Sequence, residues 1–136
     1  MVKKVLDGES IIALVVYSSF SKEGIEFFTP GDFSQQLGYM NRPAGYEIAP
    51  HTHNLVSREI SYTQETLFIR SGKLQVDLFS NDRKFLESVV LGAGDVILLA
   101  GGGHGFTFLE QSEVIEVKQG PYLSLEVDKT RFSKPS

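Results

Sequence analysis

Two of the three histidines in this chain, His51 and His53, lie one residue apart, and this spacing suits metal binding. Side chains at positions i and i+2 of an extended strand point to the same face, so a strand here would project both imidazoles together. Neutral imidazoles are good ligands for divalent transition metals. A metal site at this pair would then need a carboxylate and a further imidazole from other strands.

Two spaced patterns in the sequence supply such residues. The first is Gly45-x5-His51-x-His53, followed after a gap by Glu65-x6-Gly72, and the second covers residues 94–104, ending in three glycines and His104. They resemble the two motifs of the cupin superfamily, G-x5-H-x-H-x3-4-E-x6-G and G-x5-P-x-G-x2-H-x3-N. The resemblance covers roughly residues 38–120, and all three histidines of the chain fall on motif positions.

The resemblance implies an all-β fold, namely a double-stranded β-helix (a cupin or jelly-roll barrel) with extra N-terminal strands, forming one domain over residues 1–136. It also implies that a divalent metal is held by four residues: His51, His53, Glu65 and His104. Three imidazoles and one carboxylate, in a chain without cysteine, suit Zn, Fe, Mn, Ni or Cu, and the spacing does not choose among these metals.

The first motif departs from the family pattern between its histidines and its carboxylate. The stretch Asn54–Gln64 makes this interval about seven residues longer than usual, so we expect it to loop out and to border the mouth of a cavity. Glu59 is a rival metal ligand because it lies closer to the histidines in sequence. Glu65 is preferred because its six-residue spacing to Gly72 fits the predicted strand that follows it and a hairpin turn at Ser71-Gly72.

The second motif departs from the family pattern at three positions. Ala100 replaces the motif proline, His104 comes one residue early, and Phe108 stands where the family has asparagine. The run Gly101–Gly103 lacks the Lys-Ser/Thr of a phosphate-binding loop, so it is interpreted as a tight turn that delivers His104.

Three further residues are candidates for the same cavity. Glu47 would share the face of the two histidines on a regular strand, where a second carboxylate could act as the catalytic acid or base. The alternative is a solvent-facing Glu47 beyond a bulge at Pro50. Phe106 and Phe108 have the same strand parity as His104, so they would either line the cavity or pack in the core.

The elements that position these residues are predicted to be short strands separated by turns at roughly ten-residue spacing, which is typical of a barrel or a sandwich. One helical turn is predicted over Asp32–Leu37, and residues 129–136 are predicted to be a tail. The predicted strands are Ile11–Tyr17, Ile25–Phe28, Tyr39–Asn41, Tyr46–Ala49, Thr66–Arg70, Lys73–Phe79, Phe85–Leu91, Val96–Ala100, Phe106–Leu109, Val114–Val117 and Leu123–Val127.

Size and charge narrow the possible partners. The 136 residues are enough for one domain with one core. A net charge of −4, a pI near 5.3 and the lack of a basic run argue against nucleic acid and anionic membranes as partners. The longest apolar run, Ile11–Tyr17, is too short to span a membrane and follows acidic residues, so a cytoplasmic protein is expected. The family resemblance implies a homodimer, which would also cover exposed strand edges.

The leading hypothesis is a metal-binding cupin that takes a small oxygen-rich molecule, with the metal acting as a Lewis acid. Residues 104–109 and 118–122 resemble cupins of sugar-nucleotide pathways, which implies a sugar-type ligand. Some of those proteins are isomerases or epimerases that use a barrel histidine as base without metal. An Fe(II) or Ni dioxygenase is a further hypothesis, and a non-enzymatic ligand-binding module is the last.

Overall fold

A computed structural model describes residues 1–133, apart from the side chains of Leu125 and Glu126. These residues form ten β-strands and one helical turn, α1, at Leu125–Asp128. The strands are β1 (Val2–Asp7), β2 (Ser10–Val16), β3 (Gly24–Phe27), β4 (Gly38–Asn41), β5 (Glu65–Ser71), β6 (Lys73–Phe79), β7 (Phe85–Gly92), β8 (Val96–Leu99), β9 (Gly103–Phe108) and β10 (Glu113–Lys118).

The strands are arranged in three antiparallel sheets. The largest has the order β1-β2-β8-β5-β10, the second has the order β7-β6-β9, and β3 pairs with β4 alone. The sequence-based prediction of an all-β fold is confirmed. The antiparallel sheets are consistent with a β-sandwich, since apolar side chains of the two larger sheets share one core.

The core follows the period-2 alternation of the strands. Leu74, Val76 and Leu78 of β6 are fully buried, and they belong to the same cluster as Leu67 and Ile69 of β5. Burying one such side chain stabilises the fold by about 1.5–3 kcal/mol. The core therefore fixes which face of β5, and of any strand paired with β6, points inward.

The outer face of the large sheet is also covered. Leu14 and Leu98 are partners in the β2–β8 register and are fully buried, although their parity turns them away from the core cluster. Thr66 of β5 lies opposite Leu98 in the β5–β8 register, and its hydroxyl donates a 2.7 Å hydrogen bond to the side-chain oxygen of Gln35. The segment between β3 and β4 therefore lies against this face.

The strand predicted at Leu123–Val127 is wrong, because α1 begins within it. Ser124 explains the difference: its hydroxyl accepts a hydrogen bond from the amide of Val127 (3.2 Å), and its carbonyl accepts one from Asp128 (3.0 Å). Such N-cap bonds favour a helical turn over a strand. Of the predicted tail, residues 129–132 border a cavity described below, and residues 134–136 lie outside the described residues.

Two other predicted elements are absent from the described chain. Residues 42–64 form no strand, so neither the strand at Tyr46–Ala49 nor a strand through the two histidines is present. Pro50 lacks the amide hydrogen that a ladder bond needs, which disfavours a regular strand there. The helical turn predicted at Asp32–Leu37 is replaced by turns and bends, in which Gln36 bonds the carbonyls of Pro30 and Phe33. Within residues 1–133, no helix has the length and apolarity that a membrane crossing requires.

Candidate functional site

An open cavity of about 1140 Å³ is bordered by strands of the two larger sheets. It is bordered by β5 and β10 of the large sheet, by β9 of the second sheet and by the turn that follows β6. Residues 60–63 line one side, which confirms that part of the stretch Asn54–Gln64 borders a cavity mouth. The C-terminal residues 127–132 line another side.

Two of the predicted site residues meet in this cavity. Glu65 is the first residue of β5 and shares the inward face of Leu67, so its side chain is only 8% exposed. His104 lies opposite Leu78 in the β6–β9 register, which turns it inward as well. The Nε2 of His104 donates a 2.7 Å hydrogen bond to Oε1 of Glu65. A carboxylate and an imidazole from two different sheets therefore form a direct pair.

The position of Glu65 is fixed by the residue before it. Gln64 is buried, and its side-chain oxygen accepts hydrogen bonds from the amide of Gln35 (3.0 Å) and the hydroxyl of Ser34 (3.2 Å). Its backbone oxygen accepts a further bond from the amide of Gln119, at the end of β10 (3.0 Å). These bonds join three segments at the start of β5 and leave the Glu65 carboxylate directed into the cavity.

A second carboxyl group, that of Glu116, hydrogen-bonds Glu65. Burial alone would raise the pKa of Glu65, but the hydrogen bonds from His104 and Glu116 and the positive charge of Lys118 outweigh it and hold that pKa at about 2. The same hydrogen bond to Glu65, together with burial, raises the pKa of Glu116. Glu65 therefore carries the negative charge, and Glu116 is the carboxyl that keeps a proton to higher pH.

Lys118 completes the polar side of the cavity. It lies opposite Glu65 in the β5–β10 register, and its Nζ is 3.1 Å from Oδ2 of Asp128 in α1. This ion pair raises the pKa of Lys118 and lowers that of Asp128. Thr63 donates a 3.1 Å hydrogen bond to the other oxygen of Asp128. Asp128 therefore holds the C-terminal segment against the cavity through its contacts with Lys118 and Thr63.

The cavity also has an aromatic wall. Phe106 lines it, with its ring centroid 5.4 Å from that of His104. Phe106 and Phe108 lie opposite Val76 and Leu74, so both share the inward face of His104, as the parity of β9 predicts. Phe106 and Phe108 remain 39% and 58% exposed. β9 is an edge strand, and no strand of the described chain lies beside its free edge to cover these rings.

The other predicted site residues lie apart from this pair. His51, His53, Glu47 and Glu59 are all exposed on the segment 42–64. The rings of His51 and His53 face each other with centroids 5.4 Å apart, and Nδ1 of His51 is 2.9 Å from the carbonyl oxygen of Ala49. Among the residues that the structure describes, no three His, Asp or Glu side chains are gathered as a metal-holding group. The structure therefore forms two separate pairs of the predicted ligands.

Sequence reasoning missed three polar residues of the cavity: Glu116, Lys118 and Asp128. A signal for Glu116 was present, because a lone carboxylate interrupts the apolar run Val114–Val117. Its parity matches that of Val114, which packs against the core. No comparable local signal marked Asp128, since its role depends on the contact with β10.

Comparison with known proteins gave no relative: no family model, no curated protein and no solved structure matches this chain.

Proposed function

We propose that this chain is a small metal-binding protein of the cupin type, which binds a small oxygen-rich, sugar-type molecule in the cavity. The observation that carries the proposal is the 2.7 Å contact between Glu65 and His104. These are two of the four residues at motif positions, they come from different sheets, and they meet at the wall of the cavity.

The donor chemistry fits a divalent transition metal. Imidazole and carboxylate groups without sulfur are suitable ligands for Zn, Fe, Mn or Ni. Glu65 and His104 would hold the metal together with His51 and His53. When bound, the metal would supply Lewis-acid polarisation of a ligand oxygen. The protein's own contribution is a preformed pair of donors beside the aromatic wall of Phe106.

We also propose that the fold is completed to a double-stranded β-helix by residues 46–53. Among the strands that the structure describes, β9 has a single neighbour, β6, so its other edge offers unpaired backbone groups. A strand added there would continue the sheet β7-β6-β9 and would cover part of the exposed inward face of Phe106 and Phe108. It would also carry His51 and His53 toward His104, from which they are now apart.

Metal-dependent hydrogen exchange tests both proposals at once. Adding Zn or Mn to chelator-treated protein is expected to protect the amides of residues 46–53 and to raise the thermal midpoint by several degrees. The double variant His51→Ala/His53→Ala should lose both effects. The matched control Lys4→Gln, an exposed change on β1, should keep them. Wild-type protein that shows neither protection nor a shifted midpoint on metal addition would sink the metal proposal.

A second candidate function is metal-independent acid–base catalysis, as in sugar-nucleotide isomerases and epimerases. The observation that favours it is the hydrogen-bonded series His104–Glu65–Glu116, in which the pKa of Glu65 is lowered and that of Glu116 is raised. Such a series offers an imidazole as the catalytic base and a less acidic carboxyl as the catalytic acid. Activity on sugar nucleotides that survives chelation, and falls in Glu116→Gln, would support this candidate over the metal-dependent one.

A further inference from the structure

Positive charge is concentrated around the cavity, although the whole chain is acidic. The chain has 13 Lys and Arg against 17 Asp and Glu. The cavity lining reverses this balance, with four cationic side chains and three carboxylic ones. The cationic ones are Arg83, Lys118, Lys129 and Arg131.

The existing ion pairs leave three of these cations available to a ligand. Lys118 is engaged by Asp128, and Glu65 is engaged by His104. Within residues 1–133, Arg83, Lys129 and Arg131 form no salt bridge. Lys129 interacts electrostatically with the carboxyl groups of Asp128 and Glu116.

The segment that carries Lys129 and Arg131 is held at both ends. Asp128 bonds Lys118 and Thr63 on one side. On the other side, the ring of Phe132 packs edge-on against Phe79, with centroids 5.1 Å apart. Residues 129–131 therefore bridge two anchors along the cavity, and the two cations are held at its rim rather than on a loose end.

Arg83 also lines the cavity, close to the segment that carries Lys129 and Arg131. It belongs to the turn between β6 and β7, and its guanidinium carbon lies 5.5 Å from the centroid of the Phe132 ring. Its backbone has a φ of 64°, and it is the only non-glycine residue with positive φ in the described chain. This left-handed conformation costs on the order of 1 kcal/mol for a residue with a side chain. A glycine would be the favoured residue for the turn, so the arginine side chain needs another explanation.

We propose that Arg83, Lys129 and Arg131 form an anion-binding subsite at the rim of the cavity, which takes a small molecule carrying two or more closely spaced negative charges. Diphosphates and tricarboxylates share this chemistry. Arginine guanidinium groups bind the paired oxygens of phosphate and carboxylate through parallel hydrogen bonds. The acidic remainder of the chain repels such ligands, so the rim is the place where they would collect. This inference rests on the proposed ligand-binding role of the cavity and names the class of ligand.

Calorimetric titration of the chelator-treated full chain with pyrophosphate, citrate and acetate tests the subsite. Pyrophosphate or citrate should bind with one-to-one stoichiometry, at least tenfold more tightly than acetate, and more weakly as salt is added. The tighter of the two identifies phosphate or carboxylate as the natural group. Failure of both to bind saturably would overturn the proposal.

Variants separate the subsite from general effects of charge. Arg83→Gly and Arg131→Gln should each weaken binding about tenfold, the usual effect of losing a charge-assisted bond. Arg83→Gly relieves the backbone strain, so its thermal midpoint should not fall, and weaker binding cannot then be ascribed to unfolding. Lys4→Gln removes the same charge far from the cavity and should change affinity less than twofold. Equal losses in all three variants would contradict a specific site.

The two proposals fail in different ways. Pyrophosphate or citrate binding without any response to metal would leave the anion subsite standing and remove the metal function. Metal-dependent protection of residues 46–53 without binding of pyrophosphate or citrate would support the metal function and overturn the anion subsite.

Discussion

The Glu65–His104 pair makes a specific prediction about how stability depends on pH. Replacing Glu65 with glutamine keeps the shape of the side chain and removes its charge. The pKa of Glu65 is held at about 2, against an ordinary value of 4.5. This difference corresponds to about 3 kcal/mol of stabilisation of the charged form in the folded protein. Solvent screening of a partly exposed site reduces this figure, so we expect an effect of about 2 kcal/mol, and the raised pKa of Glu116 acts in the same direction as that reduction.

The sign of the effect follows from the lowered pKa. A carboxyl that is more acidic in the folded state stabilises the protein above its unfolded pKa, and the stabilisation is lost as pH falls toward about 2. The metal-free wild-type protein should therefore exceed Glu65→Gln in stability by about 2 kcal/mol at pH 7. The two proteins should converge between pH 4.5 and about 2.

Urea unfolding followed by tyrosine fluorescence measures this difference, since the chain has five tyrosines and no tryptophan. Glu110→Gln is the matched control, because Glu110 is 57% exposed and 3.5 Å from its partner Lys73. An exposed pair of this kind contributes at most about 1 kcal/mol. Equal stability of wild type and Glu65→Gln at pH 7, or a difference that persists unchanged at pH 3, would refute the reasoning.

Two further predictions concern the fold. Gly72→Ala should destabilise the protein by about 3 kcal/mol, because φ is +90° and an added Cβ would lie 2.5 Å from the carbonyl oxygen of Gln111. Gly105→Ala, with nothing within 4 Å of the added carbon, should change stability by less than about 0.5 kcal/mol. Leu78→Ala should cost about 3 kcal/mol, since this side chain is fully buried. Leu123→Ala, at a position 72% exposed, should cost under about 0.5 kcal/mol in the same urea unfolding assay.

The bounds of β6 could be predicted because local signals determine them, although the hairpin that the same signals suggest is wrong, since β5 and β6 belong to different sheets. Gly72 supplies the positive φ of the turn, and Leu74, Val76 and Leu78 mark the buried face of the following strand. The predicted strand Lys73–Phe79 agrees with β6 at both ends. Where pattern and turn chemistry agree over a short stretch, tertiary context changes little.

Other elements depend on contacts that the local sequence does not encode. The sequence pattern does not predict β1, because only Val5 of its six residues is buried and its lysines hide the alternation. Its strand form comes from pairing with β2 along its whole length. Residues 42–64 show the reverse case, since an alternating pattern at Tyr46–Ala49 is present but no neighbouring strand of the described chain pairs with it. Strand propensity alone does not decide such segments.

The site likewise combines residues that the local sequence marks with residues that only tertiary contacts bring together. Glu65 and His104 lie at motif positions, so the sequence indicated them individually. The approach of Lys118 to Glu65 could not be predicted, because it depends on the β5–β10 register, which sets these two residues opposite each other. The anchoring of Asp128 depends in turn on Lys118.

The proposed binding role of the cavity would explain why position 65 carries a carboxylate. Leu67 and Ile69 occupy the same inward face of β5, and an apolar residue at position 65 would continue that face into the core. A carboxylate instead loses hydration on burial and needs the hydrogen bonds of His104 and Glu116 and the charge of Lys118 to offset that loss. Such a residue is retained where its charge does something that an apolar side chain cannot do, and the open cavity beside it is where a ligand would meet that charge.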